Sequence, residues 1–336
     1  HQILKFYHLK SLINNGSVRL SIKKSSVQIQ GYRIVPGTFY INDVAVRFND
    51  QVGKSEVIVA AGTSTYRDAR ATIFGGDDDY GIFKGSEDQN GEWTWERIPV
   101  YAENSNILVQ PIDIEISPVD SKVWFSTTRW RGRGGGAVYV SNDDVSSFEK
   151  KFQITEDTND DGTSDSSDLG GGRRTEIDIA SNNTIWVLGQ IETANGGLSN
   201  PPVGIFKAPN AFESTVTRIT LPSDIDPGID DDDFTRGQSF YDLMIKADPK
   251  NPNVAYVGGI DLFRTDNGGN GTSSSNPWTQ ISHWYGRSGT QFAHADQHSS
   301  EISEVDNNKI LFGNDGGIFF SNDNGTNLSS RNNNYH

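Results

Sequence analysis

Between Asp157 and Asp168 the sequence DTNDDGTSDSSD places Asp157, Asn159, Asp161, Thr163, Asp165 and Asp168 at positions 1, 3, 5, 7, 9 and 12 of a loop, with Gly162 at position 6. Hard oxygen donors on alternate residues, folded back by one glycine, can wrap a calcium shell of about 2.3–2.6 Å, with Thr163 contributing its carbonyl. The flanks KKFQITE and LGGGRRTE have no helical periodicity. The expectation is therefore a calcium loop without bracketing helices, serving stability and not catalysis. Ca2+ is the one cofactor expected, and no organic cofactor is. A second acidic run, DIDPGIDDDDF at 224–234, lacks that spacing and reads as a solvated loop, with calcium as the lesser reading.

Two further stretches could do chemistry. In HADQH, His294, Asp296 and His298 would share one face if the segment were a strand. That face suits a transition metal, or a hydrogen-bonded ladder at the start of a strand, and the ladder is the preferred reading. In TTRWRGRGGG, Arg129, Trp130 and Arg131 make a platform for stacking a sugar or holding an acidic polymer, against the plainer reading of a loop that offsets nearby acids. HWYG at 283–286 offers a second aromatic surface.

The elements that must position these residues are strands. The chain has 336 residues, 35 of them Gly and another 35 Phe, Trp or Tyr, with few long apolar runs. Such a composition describes many short strands joined by tight turns, and the length fits two domains or one large closed architecture. A net charge of −15 repels phosphate before any local contact forms, which excludes nucleic acid and anionic membrane surfaces as partners. No run approaches 18 apolar residues, so no membrane insertion is expected. There is no Cys, hence no disulfide framework and no thiolate metal site.

The short strands recur in phrases. The clearest are YDLMIKADPKNPNVAYVGGIDLFRTDNGG and SSEISEVDNNKILFGNDGGIFFSNDNGTNL. Turn aspartates fall at Asp88, Asp143, Asp266 and Asp323, separated by 55, 123 and 57 residues, the long interval being two units with one turn lost at Pro209. A period near 60 residues with about four strands is a propeller blade. The fold expected is all-β, a β-propeller of four-stranded antiparallel blades. Five blades are visible, at about 40–101, 110–153, 175–220, 239–282 and 292–335 of a propeller over 36–336, with residues 1–35 unplaced. In the turn between the outer strands, Ser321, Asp323 and Gly325, like Asp266 with Gly268, Asp143 and Asp88, read as fasteners: the carboxylate accepts its own turn's N–H groups while Gly takes positive φ. The acids leading the inner strands, Asp43, Asp113, Asp178 and Asp242, read as bonds between neighbouring blades.

At these phrases, and at HADQH and GNDGGIFFSNDNG, the sequence resembles the Asp-box (BNR-repeat) β-propellers of the sortilin/Vps10 and xyloglucanase-like superfamily, in the forms found in secreted bacterial surface proteins. The resemblance covers roughly residues 40 to 335 and implies fold more than function. Propellers of this kind commonly have seven or more blades, which implies a piece of a longer polypeptide. The functional reading is a secreted or cell-surface module that binds polysaccharide or protein without catalysis. A xyloglucanase-like glycoside hydrolase and a sortilin-like peptide binder are the alternatives. By the same resemblance, Asp315 in GNDGGIF is the candidate catalytic acid, with no identifiable second acid.

Overall fold

The computed structural model describes residues 40–50, 52–62, 80–88, 90–129, 134–154, 172–192, 198–230, 233–271, 275–286 and 291–333. The loop from Asp157 to Asp168, together with Trp130 and Arg131, lies outside the described residues; Arg129 is described and exposed. Twenty strands form five four-stranded sheets, each with its strands side by side in chain order and antiparallel. Blade 1 is β1 (Tyr40–Asn49), β2 (Lys54–Gly62), β3 (Gly81–Glu87) and β4 (Trp93–Ile98). Blade 2 is β5 (Gln110–Ile116), β6 (Val123–Thr128), β7 (Ala137–Ser141) and β8 (Phe148–Gln153). Blade 3 is β9 (Gly172–Ile179), β10 (Ile185–Glu192), β11 (Leu198–Ala208) and β12 (Thr217–Ile219). Blade 4 is β13 (Met244–Ala247), β14 (Ala255–Gly258), β15 (Leu262–Thr265) and β16 (Thr279–Gln280). Blade 5 is β17 (Gln297–Ile302), β18 (Ile310–Asn314), β19 (Gly317–Ser321) and β20 (Ser329–Ser330). The described residues form a five-bladed β-propeller, and no helix among them is long and apolar enough to cross a membrane.

The cores lie between blades because alternate residues of a strand point to opposite faces of its sheet. In β6, Val123 and Phe125 join the seam with blade 1, while Trp124 between them joins the seam with blade 3. In β10, Ile185 and Val187 face blade 2, and Trp186 and Leu188 face blade 4. The last seam holds Met244, Tyr256 and Leu262 of blade 4 against Ile302, Ile310 and Phe312 of blade 5. The sheets of blades 2, 3 and 4 are thus buried and apolar on both faces, which ties each to its two neighbours.

Three inner-strand acids lace the blades. Asp43 accepts the Ile114 N–H at 2.8 Å, Asp113 that of Ile177 at 2.9 Å, and Asp178 that of Ala247 at 2.7 Å, each on the next blade. Asp242 breaks the series: it is fully buried and neither carboxyl oxygen has a hydrogen-bond partner. The inner strands of blades 2 to 5 border a pocket lined by Asp113, Glu115, Glu176, Lys246 and Glu301, among others.

The outer turns are closed by hydrogen bonds whose donors and acceptors vary. In blade 5, Ser321 Oγ donates to Asp323 at 2.8 Å and accepts the Gly325 N–H at 2.8 Å, while Asp323 accepts the Asn327 N–H at 2.8 Å. Gly325 has φ +82°, a left-handed conformation that a side chain resists. In blade 1, Asp88 accepts the N–H groups of Asn90 and Glu92 at 2.7 and 2.9 Å. Blade 4 differs from the expectation by one residue. Thr265 Oγ1 donates to Asn267 at 3.0 Å and accepts from the Gly269 N–H at 3.1 Å, whereas Asp266 is exposed and paired with Arg264 and Gly268 makes no such bond to Thr265. In blade 2, Asn142 and Asp144 accept the Ser146 N–H, and the Asp143 side chain points out toward Lys122 at 3.6 Å. A run of adjacent Asn and Asp offers several caps of equal reach, and letters alone do not select among them.

The acidic run at 224–234 also departs from its reading as a solvated loop: Asp224 and Asp226 are buried.

Candidate functional site

Strand register fixes which loops gather at one end. Met244, at the start of β13, and Leu262, at the start of β15, both pair with Gly258 at the end of β14. In blade 5, Gln297 and Gly317 likewise both pair with Asn314. Turns between the second and third strands therefore share an end with the connections that enter each inner strand. Asp315 sits on such a turn, Tyr241, His294 and Asp296 on such connections, and His298 at the start of β17. The capped outer turns lie at the opposite end.

HADQH is not a strand throughout. The strand begins at Gln297, and Asp296 takes φ +65°, a left-handed value uncommon outside Gly and tolerated by Asp. The alternation that would align His294, Asp296 and His298 is thus broken, and they do not converge as metal ligands; among the described residues only Asp224, Asp226 and Asp261 do. Instead His298 is the extra residue of a β-bulge, since Gln297 pairs with Asn314 and Ser299 with Gly313. A bulge re-aims a side chain, and here it turns the imidazole toward the neighbouring turn. Gln297 anchors the segment from beneath: its N–H donates to Gly259 O at 2.8 Å, and its amide donates to Ile260 O at 3.2 Å and His294 O at 2.6 Å.

The result joins two stretches far apart in sequence. His298 Nε2 lies 2.7 Å from Asp315 Oδ1, and the Tyr241 hydroxyl lies 2.7 and 2.9 Å from the two oxygens of the same carboxylate. The Tyr241 ring meets the His298 ring edge to face at 4.7 Å. Tyr241 is held in turn by Arg174 of blade 3, whose guanidinium donates to Tyr241 O at 2.6 Å and Leu243 O at 3.1 Å. Gly316 is needed beside this cluster, because a Cβ there would stand 2.4 Å from that of His294.

The carboxyls are pulled in opposite directions. Partial burial works to raise Asp315, yet the hydrogen bonds from Tyr241 and His298 and the positive potential of His298 and His294 carry it below its ordinary value. Burial and then the Asp315 charge push Asp296 up, against the pull of His298 and His294. Burial, with the Asp296 and Asp233 charges adding and Arg174 opposing, pushes Asp242 up to about 9. Between about pH 4 and 9 the folded chain therefore keeps a proton on Asp242 that the unfolded chain has released. Stability attributable to this group falls as pH rises through that window. Asp242→Asn should raise the melting temperature at pH 8 and leave it nearly unchanged at pH 4; a pH-independent difference in thermal scans would contradict this assignment.

Asp296 stands near enough to Asp315 to feel its charge. Glycosidase acid pairs are about 5–5.5 Å or 6.5–9.5 Å apart to admit a bond or a water between them. The arrangement suits holding hydroxyl groups: an ionised acceptor, two imidazoles that donate or accept, and a phenol, all fixed in place. On the connection leading to it, Tyr285 and Phe292 are exposed at 58% and 46%. Sequence reading had singled out Asp315 and His298 separately. It missed Tyr241, whose only signal is its place directly before an inner strand.

No family model matches the chain, and no curated protein matches it. Among solved structures, it is similar to a GH74 xyloglucanase from Xanthomonas campestris at 10% identity and TM-score 0.39, covering 85% of this chain and 45% of that one. The Hadza microbial sialidase Hz136 aligns at 10% identity and TM-score 0.45, over 86% of this chain and 57% of that one. YCF48 from Cyanidioschyzon merolae aligns at 11% identity and TM-score 0.44, over 87% and 85%. The chain spans less than half the length of the xyloglucanase.

Proposed function

We propose that the face formed by Tyr241, His294, His298 and Asp315 binds a polyhydroxylated ligand, a polysaccharide segment, without cleaving it. The observation that carries this reading is the clamped Asp315 carboxylate, fixed by Tyr241 and His298 before any ligand arrives, so that little ordering cost falls on binding. Exposed Tyr285 and Phe292 on the adjoining connection supply apolar faces for sugar rings. The setting proposed is a secreted or cell-surface protein, in keeping with the resemblance of the repeat phrases. The calcium loop at Asp157–Asp168 belongs to this proposal on its spacing alone.

A hydrolase is the second reading, favoured by the opposite directions in which Asp296 and Asp315 are shifted, as the environments of an acid and a base differ. Affinity electrophoresis against a panel of plant and bacterial polysaccharides, with reducing-sugar release measured in parallel, separates the two. Retardation by at least one polysaccharide, weakened roughly tenfold to a hundredfold by Asp315→Ala, is expected, with no sugar released. Sugar release abolished by Asp315→Asn would install the hydrolase reading. Unretarded migration on every polysaccharide would overturn both.

A further inference from the structure

Asp224 and Asp226 lie on the connection from blade 3 to blade 4, and Asp261 on the turn between β14 and β15. They are 2%, 4% and 0% exposed, and each brings a carboxylate oxygen to within 4.8 Å of the others. Like charges do not gather out of water without compensation. The surroundings supply part of it. Ser282 Oγ donates to Asp261 at 2.7 Å, Gln280 Nε2 to Asp224 at 3.0 Å, and the Asp226 N–H to Asp224 at 2.9 Å. His283 Nδ1 lies 3.0 Å from Asp226 Oδ1. Yet Oδ2 of Asp224 and Oδ2 of Asp226 are buried with no hydrogen-bond partner, two acceptors in a closed space with nothing to accept from.

We propose that Asp224, Asp226 and Asp261 bind a divalent cation of the calcium class. Two oxygens on opposite sides of a 2.4 Å shell are about 4.8 Å apart, so the observed spread lets all three carboxylates reach one ion. The donors are hard oxygens, and the imidazole stands behind Asp226, orienting it as a second layer commonly orients a ligand. This site is separate from the loop at 157–168 and from the ligand face proposed above.

Its role follows from what it joins. The Asp261 turn carries Gly259 and Ile260, whose carbonyls hold Gln297, and Ile260 N–H donates to Phe234 O at 3.1 Å. An ion at the three carboxylates ties the inter-blade connection to the turn from which the His294–His298 segment hangs.

The test uses the whole chain, stripped with EDTA, dialysed, and titrated with CaCl2 by calorimetry and in thermal scans. Asp224→Asn and Asp261→Asn should each bind one calcium fewer per chain than wild type and lose the part of the calcium-induced rise in melting temperature that Asp161→Ala, in the other loop, retains. His283→Ala should keep the stoichiometry and weaken this site by about 10–100-fold. Should Asp261→Asn fail to fold, Asp224→Asn reads the same loss. Equal stoichiometry in wild type and Asp224→Asn overturns the proposal. So does a wild-type chain that takes up no calcium, in which case the carboxyls share protons instead.

Discussion

Trp186→Ala is expected to lower the unfolding free energy by roughly 3–5 kcal/mol, the range for truncating a buried aromatic in a core that does not collapse around the gap. Trp186 is wholly inaccessible at the seam of blades 3 and 4. Its ring meets Trp278 edge to face at 6.4 Å, and Lys207 Nζ lies 5.1 Å above it. Each wall of the seam is a hydrogen-bonded sheet, so neither can fold inward to fill the vacated volume. The indole Nε1 has no hydrogen-bond partner. Trp186→Phe, which removes that donor and keeps most of the ring, should therefore cost far less than the alanine variant. Chemical denaturation of the two variants checks the pair of values. Equal losses, or an alanine cost near zero, would mean that the seam is not packed as described.

Arg47→Met is expected to cost about 3–5 kcal/mol as well, for an electrostatic reason. Arg47 Nε donates to Glu56 at 2.7 Å, with the side chains 3% and 7% exposed, and the guanidinium continues to Ser121 O at 3.2 Å and Asp143 O at 2.9 Å on blade 2. Removing the cation leaves Glu56 buried with Asn49 as its remaining donor at 3.0 Å. The penalty arises from that stranded charge more than from the lost attraction. The double variant Arg47→Met/Glu56→Leu should recover most of the loss, since two apolar side chains of similar size replace a desolvated pair at little net cost. A double variant as unstable as the single one would place the energy in the carbonyl bonds to blade 2 instead.

How far these features were legible in the sequence depends on the range over which their physics acts. Blade architecture was legible because alternation within a strand and Gly- and Asp-rich turns are local, and they repeat. The lacing by Asp43, Asp113 and Asp178 was legible for the same reason, each acid occupying one place in a repeated phrase. Asp242 shared that place in letters and not in role, because its partner is decided by the packing of the segment before β13. The bulge at His298 depends on pairing with a strand a dozen residues later. That pairing, together with Tyr241 from another blade, turns two separate candidates into one cluster. Asp224 and Asp226 read as a wet acidic loop because burial of a connection is settled by what covers it, which no window of sequence contains. In the outer turns, one-residue shifts such as Asp266 for Asn267 reflect the near-equal reach of adjacent Asn and Asp side chains.

The lacing of inner strands by carboxylate and backbone N–H runs from blade 1 to blade 4. The junction to blade 5 is made differently among the described residues: Lys246 lies 3.6 Å from Glu301, and Ser300 Oγ donates to Met244 Sδ at 2.9 Å. The same junction is also closed by the Gln297 N–H on Gly259 O at 2.8 Å, the Tyr241 hydroxyl on Asp315 at 2.7 Å, the Asn307 amide on Asp248 at 2.9 Å and the apolar seam around Tyr256 and Phe312. Tyr241 stands on one side of it, and His298 and Asp315 on the other. Whatever occupies both sides at once adds a further tie between the fourth and fifth sheets.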